Sequence, residues 1–215
     1  SLSEDEEQRL QRNFSQLATV QSTLLSVAKD ARTIYMTSCF HGEGKTQSAV
    51  HMAHAFAINN ARVLLVDANP RSPRVHERYG CERGPGFTDF IHDEGVLERA
   101  VRPTKYRGLF VMPFGGDGDG RPNLLHGKVL GARLERLKQD FDMVVCDGHT
   151  FVGSADTPLV AACFDAVAFV AECERTKWDV LGQAQEKCRL LGGRVAGVVL
   201  NKRKYYIPRF LYGKI

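Results

Sequence analysis

The stretch Cys39-Phe40-His41-Gly42-Glu43-Gly44-Lys45-Thr46 constrains this chain more than any other part of it. It follows the short run Arg32-Thr33-Ile34-Tyr35-Met36-Thr37 and leads into a segment with Ala49, Met52, Ala53, Phe56 and Ala57 on one helical face. A strand that turns on glycines into a helix aims backbone N–H groups, and the positive end of the helix dipole, at one point in space. Gly42 and Gly44 let those N–H groups turn inward toward phosphate oxygens, with Glu43 between them. Lys45 supplies positive charge to β- and γ-phosphates, the Thr46 hydroxyl can ligate Mg²⁺, and Gln47 follows directly. The implied ligands are ATP or ADP with Mg²⁺. The strict pattern places Gly or Ala where Cys39 stands, so the match departs at that position.

Around this loop the chain alternates between strand and helix signals. Strands are expected over 31–37, 62–67, 109–112, 141–147, 166–171 and 195–201, and helices over 45–59, 127–139, 154–163 and 177–191. Short helical pieces are expected near 87–91 and 96–100. Arg62-Val63-Leu64-Leu65-Val66-Asp67 is continuously apolar up to its last residue, as in a strand buried on both faces. The pattern predicts an α/β fold of the P-loop NTPase type, a mostly parallel twisted sheet with helices on both faces. A polar helix over 4–27 precedes it, so the expected organisation is 1–30, a nucleotide-binding body over 31–201, and a basic tail over 202–215.

Composition narrows the function classes. Hydrophobic residues make up 43% and charged residues 25% of the 215, enough for one packed domain. The formal charge of +4 is mild and no basic stripe appears, which argues against nucleic acid as a partner. No apolar run approaches the ~20 residues of a membrane span. The six cysteines have no Cys-x-x-Cys spacing, and those at 146 and 163 sit in apolar runs, so they read as buried free thiols. The first residue is Ser rather than Met, which fits a piece excised from a longer protein.

Two acids end apolar strands at the expected ligand-binding edge: Asp67 and Asp147. Carboxylates there can hold a metal-bound water or take a proton near a γ-phosphate, or else cap the turn that follows. Asn201 ends the last strand, where its amide can read a base edge; Lys204 stands where the guanine-reading Asn-Lys-x-Asp needs Asp, so adenine is favoured. His51 and His54 are three apart with no third ligand, and read as packing or surface residues. Lys202, Arg203, Lys204, Arg209 and Lys214 form the basic tail, with Tyr205, Tyr206 and Tyr212 as candidate phospho-acceptors.

With these loops placed, the chain resembles the bacterial tyrosine kinases of capsule and exopolysaccharide synthesis, which are P-loop ATPases related to MinD and ParA. The resemblance runs from about residue 4 to residue 201. Glu6, Arg9 and Arg12 fit the family's Glu-x-x-Arg-x-x-Arg helix, used in ring assembly. The segment 37–46 fits the family's first nucleotide motif except at His41. Asp67, Arg71 and Pro73 fit the second motif, but Asn69 replaces its second Asp. Pro122-Asn123-Leu124-Leu125 echoes a further conserved stretch, and Val144-Val145-Cys146-Asp147 fits the third motif, with Gly148-His149-Thr150 after it. Asp156, Asp165, Thr176 and Gly197-Val198-Val199-Leu200-Asn201 fall at further matching places.

The resemblance implies an ATP-binding tyrosine autokinase domain that assembles into a homo-oligomer. It works at the inner face of the bacterial inner membrane with a membrane-spanning polysaccharide co-polymerase, separate or preceding in the same chain. Lys45, Asp67 and Asp147 then carry catalysis, and Thr46, Asp67 and Asp147 hold Mg²⁺, partly through water. Gly42, Glu43, Gly44, Lys45, Thr46, Gln47 and Asn201 hold nucleotide. Asn69 leaves a second reading open: a catalytically weakened, ATP-sensing regulator, in which Asn69→Asp raises phosphorylation. A MinD- or ParA-like positioning ATPase is a third reading; it needs a signature Lys where this chain has Phe40.

Overall fold

The computed structural model describes Gln8, Thr19, Ser22 and residues 26–116 and 127–203. Gln8, Thr19, Ser22, Ser26 and Val27 are helical. The candidate assembly residues Glu6, Arg9 and Arg12, the segment 122–125 and the tail tyrosines lie outside the described residues.

The elements in chain order are β1 (Thr33–Ser38), α1 (Lys45–Ile58), β2 (Val63–Asp67), α2 (Val75–Tyr79), α3 (Phe87–His92), α4 (Leu97–Ala100), β3 (Arg102–Pro103) and β4 (Leu109–Met112). There follow α5 (Gly127–Asp140), β5 (Met143–Thr150), α6 (Thr157–Ala161), β6 (Ala166–Glu172), α7 (Trp178–Leu190) and β7 (Val195–Asn201). They build a seven-stranded sheet in the order β3-β4-β2-β5-β1-β6-β7. Every pairing is parallel except that of the two-residue β3 with β4.

Strand alternation sorts the core into two layers. Tyr35, Leu64, Val66, Val144, Cys146 and Phe169 face one side, where Phe87 and Phe90 of α3, Leu130, Leu134 and Leu137 of α5, and Leu181 of α7 cover them. Ile34, Met36, Val63, Leu65, Val145, Ala168 and Val170 face the other, under Ala49, Val50, Met52, Ala53 and Phe56 of α1. The small residues expected on one helical face are thus the ones that let α1 approach the sheet. The P-loop-type α/β architecture is as the alternating pattern predicts.

Four local features differ from expectation. β5 runs on to Thr150, with a register irregularity where Met36 pairs with Asp147 but Ser38 pairs with Thr150. The helix expected over 154–163 is only Thr157–Ala161, with the Ser154 hydroxyl accepting the Thr157 N–H ahead of it. α2 has no sequence signal; Asp67, eight residues back, accepts the N–H of Val75 and helps start the helix. Cys146 is buried, but Cys163 is only half-buried; the described cysteines are all free thiols.

Candidate functional site

β1, β2 and β5 end side by side, and their loops meet over the start of α1. α1 begins at Lys45 after Gly44, whose φ of 95° is left-handed, and no acidic side chain lies in its first turn. Gly42 turns with φ 85°. A Cβ on Gly44 would come within 2.0 Å of the Asn201 amide, so only glycine fits there. The first N–H groups of a helix have no partner inside it. With no acidic residue within that first turn to cap them, they present an anion cradle.

The loop is fastened from beneath. Glu43 is fully buried: its carboxylate accepts the Phe40 N–H at 2.7 Å and the Thr176 hydroxyl in a very short contact. Asn201 donates its amide to the Glu43 carbonyl at 2.9 Å and accepts the Lys202 N–H. Lys202 bridges the Gly42 carbonyl and the Glu172 carboxylate. Gln47 accepts from Arg78 at 2.8 Å and contacts His51. The side chains of Glu43 and Asn201, expected to face a ligand, are therefore committed to holding the loop, and that of Gln47 to joining α1 to α2. What Glu43 offers a ligand is backbone, and the Asn201 amide spends one N–H on the loop before any base is met. His54 packs between Tyr79 and Tyr106 and hydrogen-bonds Tyr79, which accounts for it without a metal.

Lys45 is 5% exposed; burial lowers its pKa, opposed by the nearby Asp147 and Glu43 carboxylates. Asp67 and Asp147 are register partners on adjacent strands and both are fully buried. Their surroundings differ. Asp67 accepts N–H groups from Asn69, Arg74 and Val75, so it organises its own loop. Burial raises its pKa to about 6 despite those donors. Neither oxygen of Asp147 has a well-formed hydrogen bond. Burial first and the Asp67 charge second raise its pKa to about 7, partly offset by Thr46, Lys45 and Arg78.

A buried carboxylate with no partner is costly, and is retained where something else completes it. The chemistry of this donor set fits a divalent cation: an anionic oxygen beside a Thr hydroxyl, at the mouth of a phosphate cradle. Among the described residues no group of three or more His, Cys, Asp or Glu could hold a metal unaided. The cation would need phosphate oxygens and water to fill its shell, as Mg²⁺ at nucleotides does.

Sequence reasoning read Asn69 only as a missing carboxylate. It is 5% exposed and employed throughout: its N–H caps Asp67, its amide nitrogen donates to the Ser72 carbonyl, and its oxygen meets His149 Nδ1 at 3.3 Å. Burial, then the charges of Arg71, Lys45 and His41, lower the His149 pKa. His149 was missed as a site residue because a lone histidine after a strand carries no periodic signal. The Glu43–Thr176 contact spans 133 residues and could not be read from spacing.

No protein-family model matches the chain. It is 26% identical over 194 residues to the tyrosine-protein kinase YwqD of Bacillus subtilis (strain 168), covering 89% of this chain and 82% of that one. It is 27% identical over 202 residues to a putative tyrosine-protein kinase, EpsB of Ralstonia solanacearum, covering 92% of this chain but only 26% of EpsB. The VpsO kinase domain superposes with a TM-score of 0.81 at 28% identity, over 93% of this chain and 98% of that one. The chain is a homologue of the bacterial tyrosine kinases. In fold this kinase relative also resembles MinD of Pyrococcus horikoshii OT3, solved with Mg-ADP, at a TM-score of 0.66 and 18% identity over 84% of this chain and 75% of that one. Among its described residues no helix is long and apolar enough to cross a membrane.

Proposed function

We propose that this chain is a Mg-ATP-dependent tyrosine autokinase domain that regulates the polymerisation and export of an exopolysaccharide or capsule. The observation that carries the reading is Asp147: fully buried, without a well-formed hydrogen bond at either oxygen, and set beside Lys45 and Thr46 under a glycine cradle. That arrangement is incomplete until a cation bound to phosphate enters it.

In this reading the N–H groups of Gly42, Glu43, Gly44, Lys45 and Thr46 wrap the phosphates. Lys45 neutralises charge that grows on the β–γ bridging oxygen as the bond breaks, the largest single service a phosphoryl-transfer site provides. Thr46 and Asp147 would hold Mg²⁺, which when bound would offset the negative charge on the phosphate oxygens that repels an incoming nucleophile. Asp67 fixes the 67–75 loop and adds its charge from the neighbouring strand. The hydroxyl-activating role expected of Asp67 meets three backbone donors on its oxygens, which leaves it a structural acceptor first.

The acceptor hydroxyls are Tyr205, Tyr206 and Tyr212, delivered by one subunit of a homo-oligomer to the next, with Glu6, Arg9 and Arg12 in the contact. The partner is a membrane-spanning polysaccharide co-polymerase, which places the domain at the cytoplasmic face of the inner membrane. The partial coverage of EpsB fits a kinase domain carried on a longer chain. Intact mass after incubation with Mg-ATP, followed by peptide mapping, tests the reading: phosphate on 205–212 supports it. Nucleotide binding without phosphate gain favours the second reading, an ATP-sensing regulator, for which the Asn at position 69 speaks.

A further inference from the structure

His149 is delivered to the phosphate site by a built piece of backbone. The register irregularity in β5 falls between Asp147 and Thr150, and irregularities of this kind re-aim a side chain. Gly148 lies flat against the Tyr35 ring; a Cβ there would sit 2.2 Å from Tyr35 Cζ. The His149 N–H donates to the Tyr35 hydroxyl at 2.9 Å, and the buried Thr37 hydroxyl donates to the His149 carbonyl at 2.7 Å. Two side chains from β1 thus fix the backbone of His149 from both of its polar ends.

The side chain is fixed as well. The Asn69 amide nitrogen faces the Ser72 carbonyl at 3.4 Å, and a carbonyl only accepts. That orientation turns the Asn69 oxygen toward His149 Nδ1, at 3.3 Å. An amide oxygen only accepts too, so Nδ1 carries the proton. In the neutral ring Nε2 is left as a lone pair. Thr150 Oγ1 stands 3.4 Å from it, a long contact that a better-placed hydroxyl displaces. Thr37 at the end of β1 holds its carbonyl and Asn69 after β2 meets its ring, so the side chain stands among the loops that form the nucleotide cradle.

We propose that His149, its tautomer set by Asn69, is the group that receives and orients the hydroxyl facing the γ-phosphate in this chain. The proposal rests on the nucleotide reading above. His149 touches the incoming hydroxyl; Asn69 acts through it as a positioning residue. The Asn69–His149 pair stands as one unit where the sequence pattern suggested a lost carboxylate. The hydroxyl belongs to a tyrosine or to water, and the products tell which: phosphate on protein or free phosphate.

The test combines calorimetry with ADP, transfer rates at saturating Mg-ATP, and long-range ¹⁵N spectra of the histidine rings, all on the full chain. The parent is expected to show His149 as the Nδ1–H tautomer, a measurement that needs no variant to fold. His149→Ala should lower the saturating rate at least tenfold while ADP affinity stays within about twofold. Asn69→Ala should lower the rate comparably and scramble the tautomer, and the double variant should be no slower than either. Asn69→Asp accepts the same Nδ1–H, so it should keep the tautomer and a rate within about threefold of the parent, whereas a merely missing carboxylate predicts a gain of about ten- to a hundredfold. An Nε2–H tautomer in the parent, a parent-like rate in His149→Ala, or multiplying effects of the two alanines would each overturn the proposal. A parent that binds ADP but neither transfers nor hydrolyses overturns this proposal and the autokinase reading, and leaves the nucleotide site standing. A parent that binds no ADP removes the nucleotide reading and this one with it.

Discussion

At the scale of single residues, Lys45 and Asp147 are the opposed charges of the site, and each makes a sharp prediction. Lys45→Met removes the main side-chain counterion for the phosphates inside a cradle that backbone alone completes, so ATP binding should vanish in calorimetry; unchanged affinity would sink the phosphate-loop assignment. Asp147→Asn removes a buried charge from beside Asp67 and supplies an N–H that this carboxylate can accept. The nucleotide-free protein should gain about 1–3 kcal/mol in urea unfolding at pH 8. The sign with pH follows from the raised folded values of about 6 and about 7. A carboxyl whose pKa rises on folding contributes stability that is present below its unfolded value and is lost as pH rises through the folded value. The parent should therefore weaken from about pH 5 to pH 8, and Asp147→Asn should flatten that slope. His149, lowered on folding, pulls weakly the other way below its unfolded value, so the difference between parent and variant is the quantity to read.

At the scale of elements, the ends of β6 and β7 act as a clasp on the loop between β1 and α1. Glu172 ends β6 with Thr176 just after it, Asn201 ends β7 with Lys202 just after it, and together they hold Gly42 and Glu43 by side-chain bonds. The clasp keeps the cradle open before any ligand arrives, which saves the ordering that binding would otherwise require. Thr176→Val keeps the side-chain volume but leaves the buried Glu43 carboxylate short of a donor. Losing about 1 kcal/mol of this preorganisation corresponds to roughly fivefold weaker ADP binding. An unchanged ADP dissociation constant in a folded Thr176→Val protein would show that the clasp is ornamental to binding. The other end of the sheet has its own tie: Asp165 accepts the Arg32 and Thr33 N–H groups and pairs with Lys138 of α5. Burial alone would raise the Asp165 pKa, but these partners hold it below its ordinary value.

At the scale of the whole molecule, ligand and assembly should both register as stability or size. A nucleotide that binds only the folded state, at a hundred times its dissociation constant, adds about 2.7 kcal/mol. For a chain of this length that is roughly 5–10 °C in Tm. ADP with Mg²⁺ should produce that shift in a thermal melt, and Asp147→Asn should lose the part that depends on Mg²⁺. Self-association is a separate expectation. Light scattering across concentrations should show a parent larger than a monomer and a smaller Glu6→Ala, Arg9→Ala, Arg12→Ala variant. Equal masses would remove the amino-terminal segment from the interface.

The residues alone determined the parallel sheet, the position of the phosphate loop and the two strand-ending acids. Each of these is a local pattern: continuous apolar runs for doubly buried strands, glycines before Lys45, and one acid where each run stops. The tertiary structure decided what those acids and their neighbours do. Asp67 and Asp147 carry the same signal in sequence, yet one receives three backbone donors from its own loop and the other receives none. Spacing could not reveal that Asn69 meets a histidine 80 residues away, or that Thr176 reaches Glu43 across 133. Those contacts exist because parallel strands bring distant strand ends to one edge of the sheet. Only there does burial separate a carboxylate that shapes a loop from one left waiting for a cation.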